Sequence, residues 1–256
     1  MTERSSPRRL VAAALAAAFA LPIGVLVVRA FADAWRAPAV IPQRWGLRGL
    51  REALSGMALD AFANSLIVAI VVTVAAVALA WPAARVLGER RLRHPALPFL
   101  VLALPLLVPS YATGAGLTQW FLRLGLVDAL PGLALAHLVI VLPYVTVVLL
   151  SAFGPSVTAL EEMACSQGLT ALQRLRWVTL PAVRPSLAAA VLLGFLVSWS
   201  EYGSSLAVGG GRPMLPLVLL PFVRSDPQVA SALSLLFLAP AVAALVLAAR
   251  AARSPL

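Results

Sequence analysis

Residues Glu161 to Pro185 read EEMACSQGLTALQRLRWVTLPAVRP, a polar, helix-forming segment set between long apolar runs. Glu162 and the small Ala164 are followed by Gly168; after nine intervening residues come Val178, then Leu180-Pro181 and Pro185. The residue types predict a helix, a turn and a second helix. Glu161 and Glu162 are expected near the start of the first helix, where carboxylates are favoured by the helix dipole. Gly168 permits a tight turn. Pro181 and Pro185 are expected to stop the second helix and aim the chain back toward the apolar runs. A short helix presented in this way can dock in a groove on a neighbour. Charge and helicity alone leave two readings open, an ordinary amphipathic connector and a docking helix.

The rest of the chain defines the surroundings of this segment. Hydrophobic residues make up 61% of the 256, charged residues only 12%, and the mean hydropathy is +0.95, far outside the soluble globular range. All 20 basic residues are arginine. A P-loop needs a lysine at the phosphates and a Schiff-base enzyme needs an amine, so both chemistries are excluded. Gly209-Gly210-Gly211 is therefore not a nucleotide cradle. The single Cys165 allows no internal disulfide and reads as a packing residue of the first helix, while His94 and His137 are too few for a His-rich metal site. No catalytic residue, metal or resident cofactor is expected.

Apolar runs long enough to cross about 30 Å of hydrocarbon, roughly 20 residues each, fall at approximately 10 to 29, 61 to 84, 95 to 121, 129 to 153, 186 to 208 and 229 to 249. Backbone groups in lipid must be satisfied within each segment, so the fold class is an all-α integral membrane bundle of six spans. It forms one transmembrane domain over 1–256 with a polar loop at 154–185. Prolines 98, 105, 109, 131, 143 and 240 are expected as tolerated kinks. The first run, with Arg4, Arg8 and Arg9 before it and Ala30-Phe31-Ala32 after it, has the flanks of a signal peptide. Its uncharged core from Leu10 to Val28 exceeds the roughly 7–15 residues of such a peptide, so a retained helix is expected.

With the N-terminus inside, twelve of the 20 arginines fall on the cytoplasmic side and eight outside, in agreement with the positive-inside tendency. Both termini and the loop 154–185 are then cytoplasmic. Arg36, Arg44, Arg48 and Arg51 run against the trend in the first external loop, where LRGLREALSG reads as a short amphipathic helix on the outer face. The net charge of +10 is thus mainly a topology signal. Nucleic acid is not an expected partner, since no soluble domain exists to carry a basic face.

Glu162, Ala164, Gly168, Val178, Leu180 and Pro181 together resemble the EAA signature of the membrane-spanning subunits of binding-protein-dependent ABC importers. Met163 departs from it, standing where the first alanine is usual. Asn64-Ser65-Leu66 looks like the start of the second span of these permeases, and LPLLVPSYATGAGL (104–117) is similar to their Pro-rich third span. The resemblance implies a six-helix, type I (MetI-like) permease of the bacterial inner membrane with a cytoplasmic coupling helix, a transport subunit and not an enzyme. It implies contact with a dimer of ABC ATPase subunits through Glu161, Glu162, Ala164, Gly168, Leu180 and Pro181. ATP and Mg would be bound by that partner. A second permease, identical or homologous, and a soluble solute-binding protein complete the implied assembly.

Glu201, in LVSWSEYGSS, is the only carboxylate well inside a predicted span. Intramembrane charge is costly and points to function, so Glu201 is expected in a pathway or gate, with an ion pair to a residue such as Arg212 as the alternative. Tyr202, Ser110 and Tyr111 join it as candidate gate residues. The small residues of Ser110 to Gly116 would allow close helix approach, at a subunit or gate interface or within one subunit. His137 reads as a hydrogen-bonded packing residue and not a proton relay.

The block SWSEYGSSLAVGGGRPMLPLVL (198–219) resembles the importer branch for polyamines, thiamine, iron or oxyanions, and Leu215-Pro216 leans toward the spermidine/putrescine-like group. A secondary transporter would need ion-coupling carboxylates and often repeated halves. A membrane enzyme would need a nucleophile with a base or a metal cluster. Neither pattern is present.

Overall fold

A computed structural model of the chain describes residues 7–89, 94 and 96–253. In chain order its elements are α1 (Pro7–Ala30), β1 (Ala32–Ala34), β2 (Arg44–Trp45), α2 (Arg48–Ala53), α3 (Gly56–Gly88), α4 (Ala96–Ala103), α5 (Ser110–Leu124), α6 (Leu130–Leu150), α7 (Pro155–Ser166), α8 (Ala171–Arg174), α9 (Leu180–Trp199), α10 (Gly203–Val208), α11 (Leu215–Ser225) and α12 (Pro227–Arg253). A 3₁₀ turn (Leu104–Leu107) follows α4, and a π turn (Leu175–Thr179) joins α8 to α9. Arg4, Arg90, Arg91 and Arg93, four of the twelve arginines assigned to the cytoplasmic side, lie outside the described residues.

Among the described residues five helices are long and apolar enough to cross a membrane: α1, α3, α6, the continuous helix Ala171–Trp199, and α12. The pair Ala96–Leu107 and Ser110–Leu124, bent by 101°, makes six if it is counted as one broken span and five if it is a re-entrant loop. The third span expected over 95 to 121, with Pro98, Pro105 and Pro109 as tolerated kinks, is not one continuous helix but breaks at Pro109. Val108 is extended (φ −103°, ψ 131°) and Pro109 follows at φ −55°, ψ 136°. The residue before a proline is pushed out of the helical region, and the proline offers no N–H to continue the ladder. Pro143 and Pro240 behave as expected, lying inside α6 and α12.

The fifth span is corrected at both ends. It begins at Ala171, not near 186, and stops at Trp199, not 208. Residues 203–208 form the separate α10, and residues 215–225, read as external loop, form the apolar α11. Pro216 stands in the first turn of α11, where a missing N–H is harmless.

The chain divides into two compact units. The first comprises Met1–Leu59 and Val218–Ala239. Its β1–β2 hairpin is antiparallel, and α2 is the short helix expected from LRGLREALSG. Gln228 Nε2 donates to Asp33 Oδ1 (2.8 Å), and the Arg48 guanidinium donates twice to the Asp226 carboxylate (2.6 and 3.0 Å). That hydrogen bond to Arg48 is the main reason the Asp226 carboxyl titrates below the ordinary value.

Because the folded-state value is depressed, this pair contributes stability above the unfolded aspartate value near 3.8, and the contribution is lost as pH falls through the folded value. The pair is partly exposed, so we expect only about 0.2–1 kcal/mol, screened by salt. Melting of the detergent-solubilised protein between pH 3 and pH 7 should show Asp226→Asn removing that increment only at the upper end of the range. An equal difference at every pH would assign the effect to something other than ionisation.

The second unit comprises Asp60–Leu217 and Pro240–Leu256. Its core is laid down by one stripe of α3 at four-residue spacing, Val68, Val72, Ala76, Ala80 and Ala84, all buried. Val141, Val145 and Leu149 of α6 and Val183 and Ala190 of α9 complete this core. Such small residues let helices approach closely where lipid provides no hydrophobic driving force between them. At Gly194 of α9 a β-carbon would sit 2.9 Å from Val145 Cγ2, so that crossing requires glycine.

Candidate functional site

The segment singled out in the sequence is a helical hairpin whose second arm runs directly into a span. Pro155 occupies the first turn of α7, where its fixed φ suits helix initiation. The helix ends in two bonds, Gly168 N–H to the Cys165 carbonyl (3.0 Å) and Leu169 N–H to the Ala164 carbonyl (3.1 Å). This is a Schellman motif, and Gly168 occupies its left-handed position with φ +81°. Thr170 then starts the second arm with a capping box: its hydroxyl accepts from Gln173 N–H (3.4 Å), and Gln173 Oε1 accepts from Thr170 N–H (2.9 Å). The T-x-x-Q pattern of Thr170 and Gln173 is the sequence signal for this start.

Three expectations for this segment are corrected. Glu161 and Glu162 do not sit at a helix start; α7 begins six residues before Glu161, and its first turn holds no acid, so the dipole does not explain them. Pro181 and Pro185 do not stop the second helix, which continues to Trp199. A proline would clash with the carbonyl four residues earlier, and the wider π turn at Leu175–Thr179 relieves this at Pro181. Cys165 is exposed and packs into no core of this chain.

The two glutamates face different surroundings. Glu162 is exposed, whereas Glu161 is largely buried, pairing with Arg85 of α3 and accepting the Thr179 hydroxyl. Ala164 is buried, which accounts for a small residue there. Along the hairpin the apolar side chains of Met163 (58%), Leu172 (73%) and Trp177 (68%) are also exposed, and that of Leu180 less so. Arg176 lies over the Trp177 ring at 5.3 Å. Exposed tryptophan, arginine and methionine are residue types enriched at protein contacts.

The second candidate region is the break after α9. Glu201 does not lie inside a span; it falls between the end of α9 and the start of α10, and that expectation is corrected. Its carboxylate is turned inward, accepting Ser204 N–H (2.9 Å) and the Ser204 hydroxyl (3.3 Å), with the residue 8% exposed. Among the described residues no ion pair joins it to Arg212.

His137, fully buried in α6, spans the break. Nδ1 contacts the Ser198 hydroxyl of α9 (3.0 Å) and Nε2 the Ser205 hydroxyl of α10 (2.8 Å). The Ser205 hydroxyl donates to the Glu201 carbonyl (2.9 Å), which leaves Nε2 as the donor to Ser205. The hydrogen-bonded reading of His137 holds, with partners the sequence did not identify.

Ser110 and Tyr111 come to this same place. A β-carbon on Gly203 would lie 2.4 Å from Ser110 Oγ and 2.7 Å from Tyr111 N, so the start of α5 is pressed against the break beside Tyr202. Tyr111 is 55% exposed and Tyr202 half-buried. Gly114 packs within the chain, where a β-carbon would sit 2.8 Å from Ser204 Cα, and the Thr118 hydroxyl bonds both the Gly114 and Ala207 carbonyls (2.9 and 3.1 Å). Ala112, Ala115 and Gly116 face outward. The triple glycine has a steric cause: a β-carbon at Gly209 would meet Leu133 at 2.6 Å, and Gly211 N–H bonds Asp128 Oδ1 at 2.6 Å.

No family model matches the chain. It is 32% identical over 200 residues to the molybdenum transport system permease protein ModB of Mycobacterium tuberculosis, covering 72% of this chain and 75% of that protein. A putative ABC transporter permease of Streptomyces antibioticus is 30% identical, over 73% and 82% of the two chains. A probable molybdenum ABC transporter permease of Haloferax volcanii is 28% identical, over 93% and 87%. In fold the chain matches a bacterial ABC transporter for import of the acidic polysaccharide alginate, with TM-score 0.73, 19% identity and 98% of each chain covered. With five to six apolar spans, the helical hairpin at 155–181 and relatives of this kind, the chain belongs to the permease subunits of ABC transporters.

Proposed function

We propose that this permease forms half of an import pathway and is driven by a separate ATPase that docks on the hairpin of α7 and α8. The observation that carries this reading is the hairpin itself. Its turn is set by Gly168 at φ +81°, it exposes Glu162, Met163, Leu172 and Trp177, and its second arm is one helix with the fifth span. A displacement of the docked face is thereby conveyed along a helix to the break at Glu201, against which Ser110 and Tyr111 pack. A second permease and a soluble binding protein complete the pathway, and the ATPase carries the nucleotide and Mg.

For the solute we propose an oxyanion. Molybdenum, named for two of the relatives above, and 2-aminoethylphosphonate, named for a putative transport system permease of Salmonella typhimurium that is 26% identical over 74% of this chain, support an anionic class. The lean toward a polyamine rested on Leu215-Pro216, and that pair has a local cause: it opens α11, with Leu215 N–H bonded to the Ser65 hydroxyl at 2.9 Å. Glu201, which suits a cationic solute only if it faces the pathway, is spent on Ser204.

Reconstituted with its ATPase and binding protein, the complex should accumulate molybdate or tungstate and not spermidine; the opposite preference would overturn the solute assignment alone. The mechanism requires the hairpin on the ATP side of the membrane. A reporter fused after Arg174 should be cytoplasmic and one after Pro213 external, and the reverse pattern would end the docking reading.

A further inference from the structure

Glu161 lies next to the exposed glutamate of the hairpin, yet its carboxylate faces the interior and joins three elements. One oxygen pairs with Arg85 at the end of α3, and the other accepts the hydroxyl of Thr179 in the π turn. The side chain of Glu161 is 13% exposed and Thr179 only 1%. Arg85 is also held by Glu89, one helical turn further along (2.7 Å). Charge-assisted bonds in so sheltered a place are strong and directional.

The position of Thr179 gives this contact its consequence. A π turn holds one extra residue in its hydrogen-bond ring and marks a place where helix register can shift. Thr179 Oγ also approaches the Arg174 carbonyl (3.4 Å), within the same turn. Below the turn lies the docking arm α8, and above it α9 runs 20 residues, about 30 Å at helical rise, to the break at Glu201. If the turn yields, movement of the hairpin is absorbed there; if it holds, α9 moves with the hairpin.

We propose that Glu161 is a positioning residue for coupling, its carboxylate locking α7 and the end of α3 to the π turn through Arg85 and Thr179 so that hairpin movement reaches the break at Glu201. This rests on the docking reading above. Glu161 acts through Thr179 and Arg85 and does not itself contact the ATPase.

The test uses the full complex in proteoliposomes, measuring yield of assembled complex and solute accumulated per ATP hydrolysed. Thr179→Val removes only the hydroxyl. Glu161→Ala removes the carboxylate while Glu89 still pairs Arg85. Each should assemble at wild-type yield, with transport per ATP lowered about tenfold, within the range of coupling between sites. Thr179→Ser should restore it, and the Glu161→Ala/Thr179→Val double variant should fall no further than the worse single one.

Unchanged transport per ATP in Thr179→Val, additive losses in the double variant, or losses that track assembly yield would each overturn the proposal. The docking reading fails separately. Glu162→Arg/Trp177→Ala, on the exposed face, should abolish copurification of the ATPase. Normal copurification and stimulation in that variant would remove the docking reading and the latch with it, whereas a docking-defective Glu162→Arg/Trp177→Ala with a normally coupled Thr179→Val would remove the latch alone.

Discussion

Gly168→Val is expected to cut transport per ATP by at least about tenfold, while Gly168→Asn stays near wild type. The reason is conformational and not steric. A β-carbon at Gly168 would meet nothing within 4 Å, so there is no clash to relieve, but φ is +81°. An L-residue in the left-handed region costs roughly 1–2 kcal/mol, more if β-branched, and 1.4 kcal/mol is about a factor of ten. The strain is released if the bonds from Gly168 and Leu169 to the end of α7 break, and the hairpin then presents its two arms at the wrong angle.

Asparagine tolerates the left-handed region and occurs at this helix position, so it separates backbone strain from mere loss of glycine. Uptake and ATP hydrolysis by the reconstituted complex provide the measurement. Equal defects in the valine and asparagine variants would mean that the ATPase surface closes over Gly168 and that space, not φ, selects glycine.

At Glu201 the expected order is Ala worse than Gln, in stability as well as transport. Glu201→Gln keeps an oxygen to accept Ser204 N–H, now 2.9 Å from the carboxylate. Glu201→Ala leaves that buried N–H and the fully buried Ser204 hydroxyl without their partner, a loss of about 1–3 kcal/mol. Of the side-chain bonds at the α9–α10 break, the His137 contacts with Ser198 and Ser205 and the Ser205 bond to the Glu201 carbonyl would remain.

Thermal unfolding of the purified permease and uptake by the complex should therefore fall together in Ala and be nearly normal in Gln. If Gln and Ala lose transport equally with unchanged melting, the negative charge itself serves the solute. Glu201 would then return to the pathway, and the oxyanion assignment would be in difficulty.

The sequence located the site more reliably than it described the site's inner contacts. Spacing from Glu162 through Gly168 to Leu180-Pro181 was sufficient to find the hairpin, because a positive-φ glycine and its flanking helices are local matters. Ser110, Tyr111, Glu201 and Tyr202, polar residues in or beside apolar runs, come together at one break although Ser110 and Tyr111 are about 90 positions from the other two. The orientation of each side chain was not legible. Glu161 and Glu162 are adjacent and identical in type, yet one is buried against Arg85 and Thr179 and the other is exposed. That difference depends on what α3 and the π turn place beside α7, residues 76 and 18 positions away.

What the sequence alone determined was the class of molecule: apolar runs of membrane length, the polar segment between two of them, and the glycine on which it turns. These follow from hydropathy and from local backbone preference, which need no partner. The tertiary structure decided where helices break and what polar groups do. Pro109 breaks the third span while Pro143, Pro181 and Pro240 leave helices continuous, because a proline's missing hydrogen bond and ring are tolerated or not according to the local turn and its neighbours. Glu201 became a clasp on α10, and His137 a strut across the break, because burial left each polar atom to find a partner within reach. Hydrogen-bonding capacity is written in the residue type, but its satisfaction is a property of the packed chain.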